Sequence, residues 1–123
     1  MKYVTKTKPR RRSDCPVACT LDLVGDRWTM LIVRDLVQGK RYFAEFQSSP
    51  EKIATNILSA RLQVLCAQGL VEKIPDPTDQ RRFAYELSED GVRLRELLGD
   101  MARWGLKYFR GTKPLDGIRL PQR

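Results

Sequence analysis

Three cysteines, Cys15, Cys19 and Cys66, are the side chains of this 123-residue sequence best suited to nucleophilic or metal chemistry. An odd number without a CxxC pair does not indicate a disulfide framework, and three thiols cannot fill a four-ligand structural zinc site. The sequence has no histidine, which removes the commonest general base, and it contains no GxSxG, P-loop or GxGxxG motif. We therefore expect a protein that is not an enzyme and that uses no metal and no cofactor.

Two adjacent arginines, Arg81 and Arg82, offer a different chemistry, the binding of phosphate. They stand between the turn-forming residues PDPTDQ and the alternating run FAYEL. The net charge of +8 also indicates a polyanionic partner, but the excess lies near the two ends, because residues 13–106 carry 12 basic and 14 acidic residues. The ends are either solubilising tails or part of the binding surface. The central part can bind nucleic acid only if its charges are segregated by face.

A helix predicted from about Thr55 to Gln68, ended by Gly69, is the element we expect to present side chains to a nucleic acid. At 100° per residue one stripe points inward (Leu58, Leu62, Leu65) and the opposite stripe points outward (Thr55, Asn56, Ser59, Gln63). The outward side chains form hydrogen bonds without carrying an acid, and amides can bind adenine edges through two hydrogen bonds. A merely solvated face usually carries Lys and Glu, and this one has neither. The pattern favours a DNA-reading helix.

Capping residues and prolines predict the elements at the start of the chain. A first helix begins after Asp14 or Cys15, with Pro16 at its first position, where the missing N–H costs nothing. Gly25 is expected to end this helix in a left-handed conformation. Asp26 is expected to cap a second helix.

The remaining elements follow from the same kind of signal. A very short extended segment at Arg41–Tyr42 is followed by a short helix. Two runs, 70–74 and 83–87, predict the strands of an antiparallel hairpin. Ser88 is expected to cap a long last helix that runs roughly to Phe109.

The predicted order is helix, helix, short strand, short helix, polar-faced helix, hairpin and long helix. This is the winged helix-turn-helix layout, so we predict an α+β, mostly helical fold with a long C-terminal dimerisation helix. Residues 14–110 would form the domain, between a basic flexible tail at 1–13 and a second flexible tail at 111–123. In this layout the polar-faced helix enters the major groove. The hairpin flanks it as a wing, with three arginines near the DNA backbone or a narrow minor groove: Arg41, Arg81 and Arg82.

Four blocks of the sequence resemble the HxlR-type family of bacterial winged-helix transcriptional regulators, relatives of MarR: CPVACTLDLVGDRWTMLIVRDL, KRYFAEF, IATNILSARLQVLCAQGLVEK and YELSEDG. The segment DPTDQRR is also similar to the MarR-type wing. The resemblance spans residues 15–105 and implies homodimers that bind pseudo-palindromic DNA. It further implies that the N-terminal region and the C-terminal helices form the dimer. In several members the cysteine before PV, here Cys15, senses electrophiles or oxidants.

The long last helix carries more apolar residues than one stripe against its own domain requires. We therefore predict that four of them bury a partner subunit: Leu94, Leu97, Met101 and Trp104. Met101 and Trp104 also have other interpretations, as core residues or as the lining of a ligand pocket.

Cys15 has two interpretations as well. A helix N-terminus lowers the pKa of a thiol, which would make Cys15 a reactive switch, and Cys19 lies four residues further on. Alternatively, Cys15 is a small apolar packing residue. Cys66 lies beside the buried stripe of its helix, and we expect it to be structural.

Together these patterns predict a homodimeric, sequence-specific regulator of transcription that binds double-stranded DNA at a pseudo-palindromic operator. We expect it to act as a repressor, with an electrophile or oxidant as its effector. One alternative is a winged-helix module that binds protein through the same surface. Another is a thiol enzyme that uses Cys15, although it would lack a histidine base. No apolar run approaches the length of a bilayer span, and no apolar segment follows the basic N-terminus, so we expect a cytoplasmic protein without a membrane partner.

Overall fold

The computed structural model describes residues 12–120 as a helical domain with one small antiparallel hairpin. In chain order the elements are α1 (Pro16–Val24), α2 (Thr29–Val37), α3 (Phe43–Gln47), α4 (Thr55–Ala67), β1 (Val71–Pro75), β2 (Phe83–Leu87), a 3₁₀ turn (Gly91–Arg93) and α5 (Leu94–Tyr108). This confirms the predicted α+β, mostly helical winged-helix class. Most of the predicted tail at 1–13 lies outside the described residues.

Helix α1 begins as predicted but does not end as predicted. Cys15 is extended and caps the helix, and Pro16 occupies the first turn. Gly25, however, has right-handed backbone angles, with φ −79° and ψ −8°, so the expected left-handed conformation is wrong. An ideal Cβ at Gly25 would lie 2.3 Å from the backbone oxygen of Leu21. Close approach of the chain, rather than handedness, therefore favours glycine there.

Helix α2 is positioned by the predicted acid at its start. An Asp26 carboxylate oxygen accepts the backbone N–H groups of Trp28 and Thr29, each at 3.0 Å. Burial alone would raise the pKa of Asp26, but the hydrogen bonds from Thr29 and Trp28 outweigh burial and lower it. The carboxylate form is thus the one that holds the helix start. Gly39, with φ +97°, follows the helix.

The short extended segment before α3 joins the hairpin. Tyr42 forms an isolated antiparallel bridge with Ala84, and the N–H of Tyr85 donates to the Arg41 oxygen at 2.7 Å. Helix α3 then buries Phe46, which is 1% exposed. The segment thereby fixes the base of the wing to the short helix.

The hairpin pairs Val71 with Leu87 and Pro75 with Phe83, so β1 begins one residue later than predicted. Ala84 is buried, with 4% exposure, whereas Phe83 is 38% exposed. Phe83 lies where the wing extends beyond the core, and the Lys73 ammonium lies 4.3 Å from its ring centre.

Ser88 does not begin the long helix directly, which corrects the prediction. Its hydroxyl accepts the Gly91 N–H at 3.0 Å, at the 3₁₀ turn, and donates to the Gly69 oxygen at 2.6 Å. Helix α5 starts only at Leu94. An ideal Cβ at Gly91 would lie 1.8 Å from the Leu70 oxygen, so no larger residue fits this contact without a shift of the backbone.

One core holds these elements together. The hairpin and all five α-helices contribute to it, although α1 does so only through its last residue. The buried hydrophobic residues are Val24, Met30, Ile32, Val33, Phe46, Leu58, Leu62, Leu65, Leu70, Val71, Leu94 and Leu98. Each fully buried aliphatic side chain of this kind contributes about 1.5–3 kcal/mol. The three inward leucines predicted for α4 are among them.

The segment after α5 returns to the domain. Ile118 packs against the core, and the Gln38 amide donates to the Asp116 oxygen at 3.1 Å. The flexibility expected for 111–123 stays a prediction, but part of this segment contacts the end of α2.

Within residues 12–120, no helix combines the length and apolar character needed to cross a membrane.

Candidate nucleic-acid interface

The outward face of α4 is exposed and polar, as predicted. Thr55, Asn56, Ser59 and Gln63 are exposed, whereas Leu58, Leu62 and Leu65 on the opposite face are 0–2% exposed. Within residues 12–120, the side chains of Asn56, Ser59 and Gln63 form no hydrogen bond or ion pair. Their donors and acceptors are therefore available to an external partner.

Thr55 differs from its neighbours because α3 holds it. The Gln47 amide donates to the Thr55 hydroxyl oxygen at 2.9 Å, so the hydroxyl retains its proton for another acceptor. Ala54 precedes the helix with an extended backbone and no side-chain cap. The contact with Gln47 thus supplies a link between α3 and the start of α4.

The charge around α4 is favourable for a polyanion. The sequence has no acid between Glu51 and Glu72. Arg61 lies 3.8 Å from the Asp26 carboxylate, at the side of the helix. Lys52 is exposed in the turn before α4 and has φ +55°. Sequence reasoning missed this lysine, although its place just before the polar-faced helix was a usable signal.

The wing arginines have different surroundings. The Arg81 side chain is 94% exposed, with its nearest Asp79 oxygen 3.6 Å away. The Arg82 guanidinium instead lies 3.6 Å from the centre of the Tyr42 ring. Such stacking contributes about 0.5–1 kcal/mol at exposed sites. The two arginines that the sequence presents as a pair therefore have separate environments.

Asp76 is turned into the wing rather than toward solvent. One of its oxygens accepts the Thr78 N–H and hydroxyl, each at 2.8 Å, and the other accepts the Tyr42 hydroxyl at 3.3 Å. The bond from the Thr78 N–H is the largest cause that lowers the pKa of Asp76. This acid therefore braces the turn and keeps its charge there.

Arg41 is paired within the protein. Its guanidinium forms an ion pair with the Glu86 carboxylate on β2, and both side chains are nearly half exposed. An exposed pair of this kind is worth about 0–1 kcal/mol, so a phosphate can compete for the arginine. The structure thus places Arg41 beside the wing but with its charge already balanced.

Cys15 is exposed at the N-terminus of α1. Its N–H donates to the Ser13 hydroxyl at 3.1 Å, and its carbonyl accepts the Cys19 N–H at 3.0 Å. Cys66 is different, because burial raises the pKa of its thiol and favours the protonated, less reactive form.

Within residues 12–120, no cluster of three or more His, Cys, Asp or Glu side chains could hold a metal ion.

Helices α1 and α5 expose a large amount of apolar surface. On α1, Val17 is 64% and Leu21 is 52% exposed. At the end of α5, Met101, Trp104, Tyr108 and Phe109 are 50–60% exposed. The Trp104 ring lies 4.8 Å from the Tyr108 ring and 5.9 Å from the Phe109 ring.

Two of the four residues predicted to contact a partner subunit are not on this exposed apolar surface. Leu94 is only 9% exposed and belongs to the core of its own chain, and Leu97 is partly buried against that core. Met101 and Trp104 lie on the exposed apolar surface. The structure thus separates a core-facing start of α5 from an unpartnered end.

A family model described as HxlR-like helix-turn-helix matches residues 23–113 of the chain. Among similar relatives is the HTH-type transcriptional regulator YdeP of Bacillus subtilis (strain 168). It is 32% identical over 105 residues, which cover 85% of this chain and 82% of YdeP.

Solved structures show the same architecture. PA1607 superposes with a TM-score of 0.77 at 38% identity, covering 92% of this chain and 78% of PA1607. The oxidised form of the redox regulator HypR gives a TM-score of 0.69 at 30% identity, covering 76% of this chain and 96% of HypR. The reduced form of the transcriptional regulator YodB from B. subtilis gives 0.64 at 26% identity, covering 82% of this chain and all of YodB.

Proposed function

This chain belongs to the HxlR-like helix-turn-helix family of transcriptional regulators, and from that premise we propose that it binds a pseudo-palindromic operator as a homodimer and represses transcription. The observation that carries the proposal is the outward face of α4. It presents Asn56, Ser59 and Gln63 without internal partners on a helix that contains no acid. Side chains of this kind can donate to and accept from base edges in the major groove.

The distribution of acids supports DNA rather than protein as the partner of this face. Asp26 caps α2, Glu86 pairs with Arg41, and Asp76 braces the wing turn. These three acids thus have partners within the fold, and α4 itself carries no acid. A winged-helix module that binds protein would not require such segregation.

A homodimer is supported by the apolar surfaces of α1 and α5, which the protein's own core leaves exposed. Two copies joined through them would present two α4 helices to one duplex. Half-sites are then expected about one helical turn, roughly 34–36 Å, apart.

The test is selection from a randomised duplex library. We expect the full chain to enrich a two-fold symmetric sequence and to bind it in the nanomolar range, with affinity that falls steeply as salt rises. Fluorescence anisotropy on the enriched duplex and on a scrambled duplex measures the specificity. Equal affinity for both duplexes would contradict sequence-specific binding and favour the protein-binding alternative.

A redox-regulated version of this function is favoured by one observation. Cys15 is exposed at the N-terminus of α1, and the chain is similar to the redox regulator HypR. We propose that oxidants or electrophiles modify Cys15 and thereby release DNA. Diamide or methylglyoxal should dissociate the wild-type complex and leave the Cys15→Ser complex intact. Equal responses of the two proteins would assign Cys15 a packing role only.

A further inference from the structure

A cluster of charged and polar side chains, buried at Arg34, Asp35 and Ser49 and exposed at Glu51, joins α2 to the turn that leads into α4. It contains Arg34, Asp35, Lys40, Ser49 and Glu51. Arg34 is 8%, Asp35 3% and Ser49 5% exposed. Sequence reasoning placed none of these residues in a functional role.

The Arg34 guanidinium is at the centre of the cluster. Its two terminal nitrogens donate to the two Glu51 oxygens at 2.7 and 2.8 Å, which is a bidentate pair. Its Nε and Nη2 also donate to one Asp35 oxygen at 3.1 and 3.0 Å. The hydrogen bond between Arg34 and Glu51 is the largest cause that raises the pKa of Arg34 and lowers that of Glu51, so both remain charged.

A second set of bonds ties the same turn to α2. The Lys40 ammonium donates to the Ser49 hydroxyl oxygen at 2.8 Å, and the Ser49 hydroxyl donates to the other Asp35 oxygen. The turn between α3 and α4 is therefore anchored at two points, Ser49 and Glu51. Between these anchors and α4 stands Lys52, with φ +55°, whose N–H donates to the Ser49 oxygen at 3.0 Å.

This anchoring matters because α4 has no side-chain cap of its own. Ala54 occupies the cap position and offers no acceptor to the free N–H groups of the first turn. The start of α4 is thus positioned by what precedes it. An ion pair with one buried partner, such as Arg34 with Glu51, adds little net stability because desolvation offsets the attraction, but its fixed geometry can select one arrangement of the chain.

We propose that Arg34 and Glu51 form a positioning pair that sets the start of α4, and with it the placement of Asn56 against the bases. This inference rests on the proposed function, and Arg34 itself is too buried to touch DNA. The pair is expected to act through the turn 48–54. Specific recognition should therefore depend on the geometry of the pair as well as on its charge.

Substitutions at Glu51 separate position from charge. Glu51→Gln removes an acid near the DNA, which by electrostatics alone would strengthen binding to every duplex. We expect the opposite on the enriched duplex, a loss of roughly 2- to 30-fold, with no loss on scrambled DNA. Glu51→Asp keeps the charge but is one methylene shorter, so it should lose specificity as Glu51→Gln does. Glu72→Gln, at an exposed acid on β1, is the control and should follow the electrostatic rule.

Amide hydrogen exchange tests the inference without DNA. The Leu58 N–H donates to the Ala54 oxygen at 2.9 Å, in the first turn of α4. Its exchange should become roughly 2- to 30-fold faster in Glu51→Gln and Glu51→Asp, while that of Leu98 in α5 stays unchanged. Arg34→Lys, if it folds, should add little to Glu51→Gln, because the same bidentate contact is already lost.

These two measurements fail in different ways. If the wild type enriches no sequence, the proposed function is wrong, but the exchange of Leu58 still decides whether the pair positions α4. Unchanged exchange at Leu58 in both Glu51 variants would overturn the positioning pair. So would a Glu51→Asp protein with wild-type specificity.

Discussion

The outward face of α4 and the wing both carry polar side chains toward the proposed DNA, but they differ in what those side chains already contact. Asn56, Ser59 and Gln63 on α4 have no internal partner within residues 12–120. On the wing, Arg82 stacks on Tyr42, and Arg41 at its base pairs with Glu86.

The difference separates two kinds of recognition. A free amide can form its hydrogen bonds with a base at no cost to the fold, and a wrong base leaves it unsatisfied, so α4 is suited to discriminate sequence. A guanidinium that is already stacked or paired must exchange one partner for another. The wing is therefore suited to a modest, sequence-independent contribution, and the Arg81 side chain, which is 94% exposed, is accessible to a phosphate.

The largest expected effect is the loss of the dimer, which would weaken the DNA contacts of α4 and of the wing alike. Each surface is expected to contact the operator twice, once from each subunit. Trp104→Glu places a charge in the exposed aromatic cluster of α5 and should produce monomers. Affinity for the enriched duplex should fall by on the order of 100-fold or more, since the two α4 helices are no longer linked. Sedimentation measures the assembly, and Trp104→Phe is the conservative control. A dimeric Trp104→Glu protein with normal binding would place the interface elsewhere.

The next effect tests the α4 side alone. Asn56→Ala and Gln63→Ala should each cost about 1–3 kcal/mol on the enriched duplex and little on scrambled DNA. Gln80→Ala, at an exposed glutamine of the wing turn, is the matched control and should change neither affinity. Equal losses on both duplexes would mean that these amides only hold the DNA backbone.

Separate substitutions of Arg81 and Arg82 test the contribution of the wing. Arg81→Ala should flatten the dependence of log affinity on log salt by about 0.9 for the lost phosphate contact, with stability unchanged. Arg82→Ala should instead lower the free energy of unfolding by about 0.5–1 kcal/mol, because the stack on Tyr42 is lost. Salt titrations and denaturant unfolding measure the two quantities, and Arg81→Lys is the charge-preserving control. Identical behaviour of the two alanine variants would contradict their different environments.

The smallest effect concerns the pair at the base of the wing. Glu86→Gln frees Arg41 and should change stability by less than about 1 kcal/mol. Affinity for all duplexes should rise slightly and the salt dependence should steepen by up to about one phosphate contact. An unchanged salt slope would indicate that Arg41 does not reach DNA.

The sequence predicted those features of the fold that local physics decides. Gly69 follows α4 as predicted, and its φ of +74° is one that glycine adopts readily. The three inward leucines of α4 followed from helical periodicity. The left-handed conformation predicted for Gly25 was wrong. Glycine is favoured there by its close approach to the Leu21 backbone, which helix-capping preferences do not take into account.

The candidate site was predictable in its side chains but not in their partners. The polar face of α4 needed only the rotation of a helix. The stack of Arg82 on Tyr42 and the pair of Arg34 with Glu51 join residues 40 and 17 positions apart, and no local pattern indicates them. Leu94 was assigned to a partner subunit because apolar spacing alone does not distinguish a core contact from an intersubunit one.

The contact between Gly91 and Leu70 has a mechanical consequence. The Ser88 N–H donates to the Leu70 oxygen at 3.0 Å, and the space for a side chain at Gly91 is filled by that same oxygen. The junction between β2 and α5 therefore has little room to bend. If α5 tilted against a second subunit, the wing and α4 would therefore move with it as one rigid body. In the proposed dimer, a small change of angle between subunits would then become a larger displacement of α4 and the wing.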